Sequence, residues 1–132
     1  MVVASDAELD ESSADNVIET EDVIVSQWRE VSADERSQLR EQFDEILRPL
    51  GFETSLVVIR RANSLALYFI CLTLLALTRL RDQWSSGQLR DIVQSLFTLL
   101  SGASRQVRVK RLSWLQTDYE RSEEFLRSLQ VS

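Results

Sequence analysis

Residues 56–71 read Leu-Val-Val-Ile-Arg-Arg-Ala-Asn-Ser-Leu-Ala-Leu-Tyr-Phe-Ile-Cys. Two apolar runs, Leu56–Ile59 and Leu65–Cys71, are held apart by Arg60, Arg61 and the turn-forming Ala62-Asn63-Ser64. Runs of this kind, joined by a few polar residues, fold back on each other as a β-hairpin. The hairpin sets the class, and its flanks supply the other elements.

On the N-terminal side, Leu39, Phe43, Ile46, Leu47 and Leu50 recur at spacings of three and four, the stripe of an amphipathic helix. Ser32-Ala33-Asp34-Glu35 has the spacing of a capping box, and Pro49 and Gly51 end the helix. Before it, the β-branched Val23-Ile24-Val25 reads as a strand running toward Trp28. On the C-terminal side, the Leu and Ala of Leu72–Asp82 favour helix. Ser85-Ser86-Gly87 interrupts it, and Leu89, Ile92, Val93, Leu96, Phe97 and Leu100 form a second stripe closed by Gly102. Arg105–Arg111 alternates, with Val107 and Val109 on one side and Gln106, Arg108 and Lys110 on the other, as in a strand with one solvated face. Thr117-Asp118-Tyr119-Glu120 is a second capping box, opening a helix that carries Phe125, Leu126 and Leu129. The resulting order, βαββαβα, predicts an α+β fold: a four-stranded antiparallel sheet with helices packed on one face, of the ferredoxin-like, split βαβ kind.

The chain has 132 residues with a formal net charge of −6, but the charge is unevenly placed. Residues 1–22 hold eight acidic side chains and no basic one, whereas the other 110 hold 13 acidic and 15 basic. The first 22 residues therefore read as a disordered acidic leader, too poor in apolar groups to offset the entropy of ordering. Such a tail either solubilises the chain or folds over basic surface and screens it. Residues 23–132 read as a single domain. The leader has neither a basic start nor an apolar core, so it does not read as a signal peptide. The lone Cys71 cannot form an internal disulfide, and a cytoplasmic location is expected.

Few catalytic chemistries fit. There is no histidine, hence no imidazole base, no Ser-His or Cys-His pair and no mixed His/Cys zinc site. The three glycines, Gly51, Gly87 and Gly102, are isolated and do not form a phosphate loop. Asp44/Glu45 and Glu123/Glu124 lie among other charges on solvated helix faces. Cys71 sits in an apolar run that disfavours its thiolate. The expectation is a non-enzymatic interaction module that needs no cofactor, metal or small-molecule substrate.

Two other readings cover parts of the chain. Residues 62–78 carry no charge and are flanked by arginines, which sets a short single-pass membrane span against a strand that runs into a buried helix. The βαββαβ order is also that of RNA-recognition domains. Leu65–Cys71, however, lacks the glycine and basic start of their aromatic strand, and the body of the chain carries little net positive charge.

Residues 80–96, Leu-Arg-Asp-Gln-Trp-Ser-Ser-Gly-Gln-Leu-Arg-Asp-Ile-Val-Gln-Ser-Leu, resemble a stretch of the N-terminal domain of the TNF-receptor-associated death domain adaptors. The shared pattern is a leucine-arginine pair, an aromatic, a glycine, Leu-Arg, then Gln on a spaced apolar face. The resemblance implies a four-stranded α-β sandwich that docks partners in death-receptor or innate-immune signalling. A TRAF-domain protein or self-association is the implied mode.

The residues proposed to meet that partner come from the strands. Gln106, Arg108 and Lys110, with Arg60 and Arg61 beside them if the strands adjoin, would make a basic sheet surface. Trp28 or Trp114 would serve as an aromatic anchor.

Overall fold

The computed structural model describes residues 2–9, 17–33, 38–61, 64–102, 107–114 and 116–131. The elements run β1 (Val2–Leu9), α1 (Val17–Ala33), α2 (Gln38–Leu47) with a 3-10 turn over Arg48–Leu50, β2 (Thr54–Arg61), β3 (Leu65–Cys71), α3 (Leu74–Ser85), α4 (Gln88–Ser101), β4 (Val109–Trp114) and α5 (Gln116–Val131). The class is α+β. The four strands form one antiparallel sheet in the order β2-β3-β1-β4.

The hairpin forms as expected, with Thr54 opposite Cys71 and Arg61 opposite Leu65. A bulge at Val57 adds one residue to β2 and changes which side chains face inward beyond it. The helix stripes also form. Phe43 and Leu50 are buried, as are Leu89, Ile92, Val93, Leu96, Phe97 and Leu100 of α4.

The start of the chain overturns two expectations. Part of the stretch read as a disordered leader is β1, which lies between β3 and β4 and pairs with both. Val3, Ser5, Ala7 and Leu9 turn to the core, while Glu8 is exposed on the other face. Small inward residues let helices approach the middle of the sheet, so the segment orders despite its acidity. Residues 10–16 lie outside the described residues. The second correction is Val23–Val25, which belongs to α1 and not to a strand. Ile24, Val25, Trp28 and Val31 are all buried at helical spacing, and burial of that stripe outweighs the β-branched preference of three residues.

Both capping boxes shift as well. Ser32 lies inside α1, where its hydroxyl donates to the Arg29 carbonyl at 3.2 Å. Its partners Asp34 and Glu35 lie outside the described residues. Thr117 is the second residue of α5 and not its cap. On α5, Tyr119 and Leu126 are buried, but Phe125 and Leu129 are exposed.

Of residues 62–78, weighed as a membrane span, residues 65–71 form β3 and residues 74–78 begin α3, while residues 62–63 lie outside the described residues. No helix among the described residues is long and apolar enough to cross a membrane.

The core lies between one sheet face and the helices. From the sheet come Val3, Ala7, Leu56, Ile59, Leu65, Leu67, Phe69 and Leu112, which meet Ile24, Phe43, Leu77, Leu80, Leu96 and Phe97. On the opposite face Arg60, Lys110 and Arg111 are exposed and Tyr68 is half-buried.

The last strand is held by side chains as well as by β1. The Gln94 amide donates to the Val107 carbonyl and accepts from the Val109 N–H, so it acts as a short strand partner. Trp84 Nε1 donates to the Leu112 carbonyl at 2.9 Å. Edge strands left unpaired are templates for association. Here three backbone groups at or beside β4 are taken up from within the fold.

Candidate protein-interaction surface

The basic surface proposed from the sequence does not assemble. β2 and β4 are the two edges of the sheet, separated by β3 and β1, so Arg60 and Arg61 lie far from Arg108 and Lys110. The two β2 arginines also serve different faces. Arg60 sits over the Tyr68 ring on the exposed face, 5.0 Å from its centroid, a cation–π contact. Arg61 reaches back to α1 and pairs with Asp22 at 2.7 Å. Lys110 lies 3.9 Å from Glu8 of β1. Arg108 is exposed and lines a shallow polar depression with Arg90, Asp91 and Gln94. Gln106 lies outside the described residues. Of the expected alternation, Val107 and Val109 are buried and Arg108 and Lys110 exposed, although the strand itself begins only at Val109.

Both proposed aromatic anchors are largely packed inside. Trp28 is buried with its ring 4.9 Å from that of Phe43. Trp114 packs between Trp84 and Tyr119, its ring tilted against both at 5.9 and 6.0 Å, and Arg81 lies over the Tyr119 ring.

A different surface stands out, at the end of the sheet where α2 turns into β2. Pro49 fixes the 3-10 turn, and Gly51 follows with φ +89, a left-handed backbone open to glycine. That turn carries Phe52 into solvent, and Phe52 is fully exposed at 104%. On one side of it a groove of about 380 Å³ runs between α2 and the start of β2, floored by Trp28, Phe43, Leu47, Leu50 and Leu56. Arg40 and Asp44, paired at 3.3 Å, and Arg48 form its polar rim. On the other side a second hollow of about 410 Å³ is bounded by Leu75, Ala76 and Arg79 of α3. Leu75 lines this hollow with Phe52, and the Leu72 N–H donates to the Glu53 carbonyl at 2.9 Å; the two leucines are 68% and 64% exposed, so three large apolar residues share this corner. Exposed apolar residues gathered beside a groove mark binding surfaces more often than scattered ones do.

Phe52 escapes a reading by pattern because it belongs to no stripe or alternation. Its one signal in the sequence is position: an aromatic directly after a helix-stopping glycine has no element in which to be buried.

Among the described residues two ionisable groups are perturbed. Burial pushes the Cys71 thiol up, a hydrogen bond from Thr54 only partly opposing it. A thiol held protonated in this way is a poor nucleophile. Burial also pushes the Glu21 carboxyl up; Arg61 opposes the shift and neighbouring Asp22 adds to it. Among the described residues no group of three or more His, Cys, Asp or Glu side chains is placed to hold a metal ion.

Residues 80–96, which carry the family resemblance, span the α3–α4 junction. Gly87 breaks the two helices with φ +87, and Leu80, Gln83, Leu89, Ile92, Val93 and Leu96 are buried. Trp84 is tied to β4. The apolar part of the resemblance therefore lies in packing residues, while its arginines, Arg81 and Arg90, are exposed. No family model matches the chain, and no significant match is found among curated proteins or solved structures.

Proposed function

We propose that the chain is a non-enzymatic interaction domain that recruits a protein partner through the groove beside Phe52. The observation that carries this reading is a fully exposed phenylalanine on the rim of an apolar groove. Binding energy concentrates in such places, where an aromatic anchor and arginines surround a pocket that can be desolvated. The protonated, buried state of Cys71 also supports a binding role over nucleophilic chemistry.

The finer assignments rest on other support. A ferredoxin-like, split βαβ sheet is favoured by the antiparallel order β2-β3-β1-β4 and by the helices between the strands. Death-receptor or innate-immune signalling in the cytoplasm, with a TRAF-domain protein as the partner, rests on the likeness of residues 80–96 alone. The aliphatic positions of that stretch are buried, so they speak for a shared fold more than for a shared partner.

Calorimetric titration of a purified TRAF domain into the chain tests the reading. Binding is expected, with a loss of at least about tenfold on Phe52→Ser. No detectable heat would remove the TRAF domain as partner. Equal binding by Phe52→Ser would remove the groove.

A further inference from the structure

Resting on the reading of this corner as an interaction surface, we infer that its partner is a second copy of the same chain, joined by reciprocal insertion of Phe52 into the facing groove. Phe52 is a knob without a hole in its own fold, since at 104% exposure its side chain is covered by nothing among the described residues. The groove floored by Trp28, Phe43, Leu47 and Leu50 is a hole without a knob, and Phe52 stands at its edge. Knob and hole side by side on one surface are what a twofold interface requires: a rotation about an axis between them places each knob in the other's hole. A heterologous partner would need only one of the two.

The charges are also self-complementary. Glu53 follows Phe52 in the chain and is exposed, with one carboxylate oxygen accepting from the Thr73 hydroxyl at 2.6 Å. Arg48 lines the groove and has no ion-pair partner among the described residues. Insertion of Phe52 brings each Glu53 toward the other copy's Arg48, opposite charges meeting at both ends of the interface. Leu75, which lines the second hollow, and Leu72, bonded through its N–H to Glu53, extend the apolar footprint past the single anchor. An isologous pair uses this patch twice, so each loss is felt twice.

Sedimentation equilibrium of the full chain provides the test. The wild type is expected to form a concentration-dependent dimer. Phe52→Ala removes the knob at a site that supports no fold contact, and Ser55→Tyr fills the groove from an exposed position. Each anchor of hot-spot strength is worth roughly thirtyfold in affinity, so either variant alone should weaken the dimer by roughly a thousandfold. An equal mixture of the two retains one knob facing one open hole, and should dimerise only about thirtyfold more weakly than the wild type. A wild type that stays monomeric up to about 200 µM would overturn the inference, as would a Phe52→Ala dimer of unchanged strength. A mixture no better than either variant alone would overturn it too. If the chain is monomeric and its TRAF-domain binding still falls with Phe52→Ser, the dimer is refuted while the adaptor reading stands.

Discussion

Replacing Gln94 by alanine isolates the device that anchors β4. The side-chain amide makes two hydrogen bonds to one strand, to the Val107 carbonyl and from the Val109 N–H. A protein hydrogen bond contributes about 1 kcal/mol net, and a backbone group left unpaired in a dry site costs about 1–3 kcal/mol. Here the lower figure applies, because Gln94 and Val109 border an open polar depression and water can reach the freed groups. The expected cost of Gln94→Ala is therefore about 2 kcal/mol. For a chain of this size that is about 6–10 °C in Tm. Urea denaturation followed by tryptophan fluorescence measures the loss. Amide exchange places it, since the Val109 N–H should exchange faster while the amides of the β2–β3 hairpin keep their protection. Gln94→Glu keeps an acceptor for Val109 but turns a carboxylate toward the Val107 carbonyl, so it should cost at least as much as alanine. A change below about 0.5 kcal/mol, with Val109 exchange unaltered, would refute the claim that this amide holds the strand.

Two further perturbations probe other parts of the fold. Glu21 has a folded-state pKa above its unfolded value, so the folded protein binds the extra proton and stability falls as pH rises through that interval. Glu21→Gln should therefore gain on the wild type as pH rises from about 4 to about 7, read as a difference in Tm; a constant difference would contradict the burial argument. At Gly87, with φ +87 and open space where a Cβ would stand, the cost of alanine lies in the backbone alone. It should lower stability by about 1 kcal/mol, with asparagine costing less, and an alanine variant as stable as the wild type would argue against the left-handed junction.

The elements that announce themselves by local pattern were legible: the hairpin over residues 54–71, the α2 and α4 stripes, and the glycine break between α3 and α4. What failed was decided by distant partners. Val2–Leu9 carries two acidic residues and only small side chains at its inward positions beside Val3 and Leu9, so its composition resembles that of a solvated tail. Its pairing with β3 and β4 makes it a strand, and neither partner is near it in sequence. One trace was present: Asp6 and Glu8 fall on the same side of an alternation with Ser5, Ala7 and Leu9. Val23–Val25 is the reverse case, in which Trp28 and Val31 supply a helical spacing that a three-residue β-branched run obscures. The basic surface failed for a topological reason. Once β1 lies between β3 and β4, the arginines of β2 and those near β4 cannot share a patch.

The central place of β1 also bears on how the protein is made. Its Ser5 hydroxyl donates to the Ser113 carbonyl at 2.6 Å, across 108 residues of chain. The strand made before the others must wait, unpaired on one side, until the last of them arrives. The hairpin and helices can form early from local contacts, but the sheet closes only when both distant segments are available, a topology of the slow-folding kind. During that interval the apolar inner faces of β3 and β1 are open to other nascent chains. Demand for a chaperone should accordingly end with the synthesis of β4, and ribosome-bound chains stopped before Val109 should be sensitive to protease at β1.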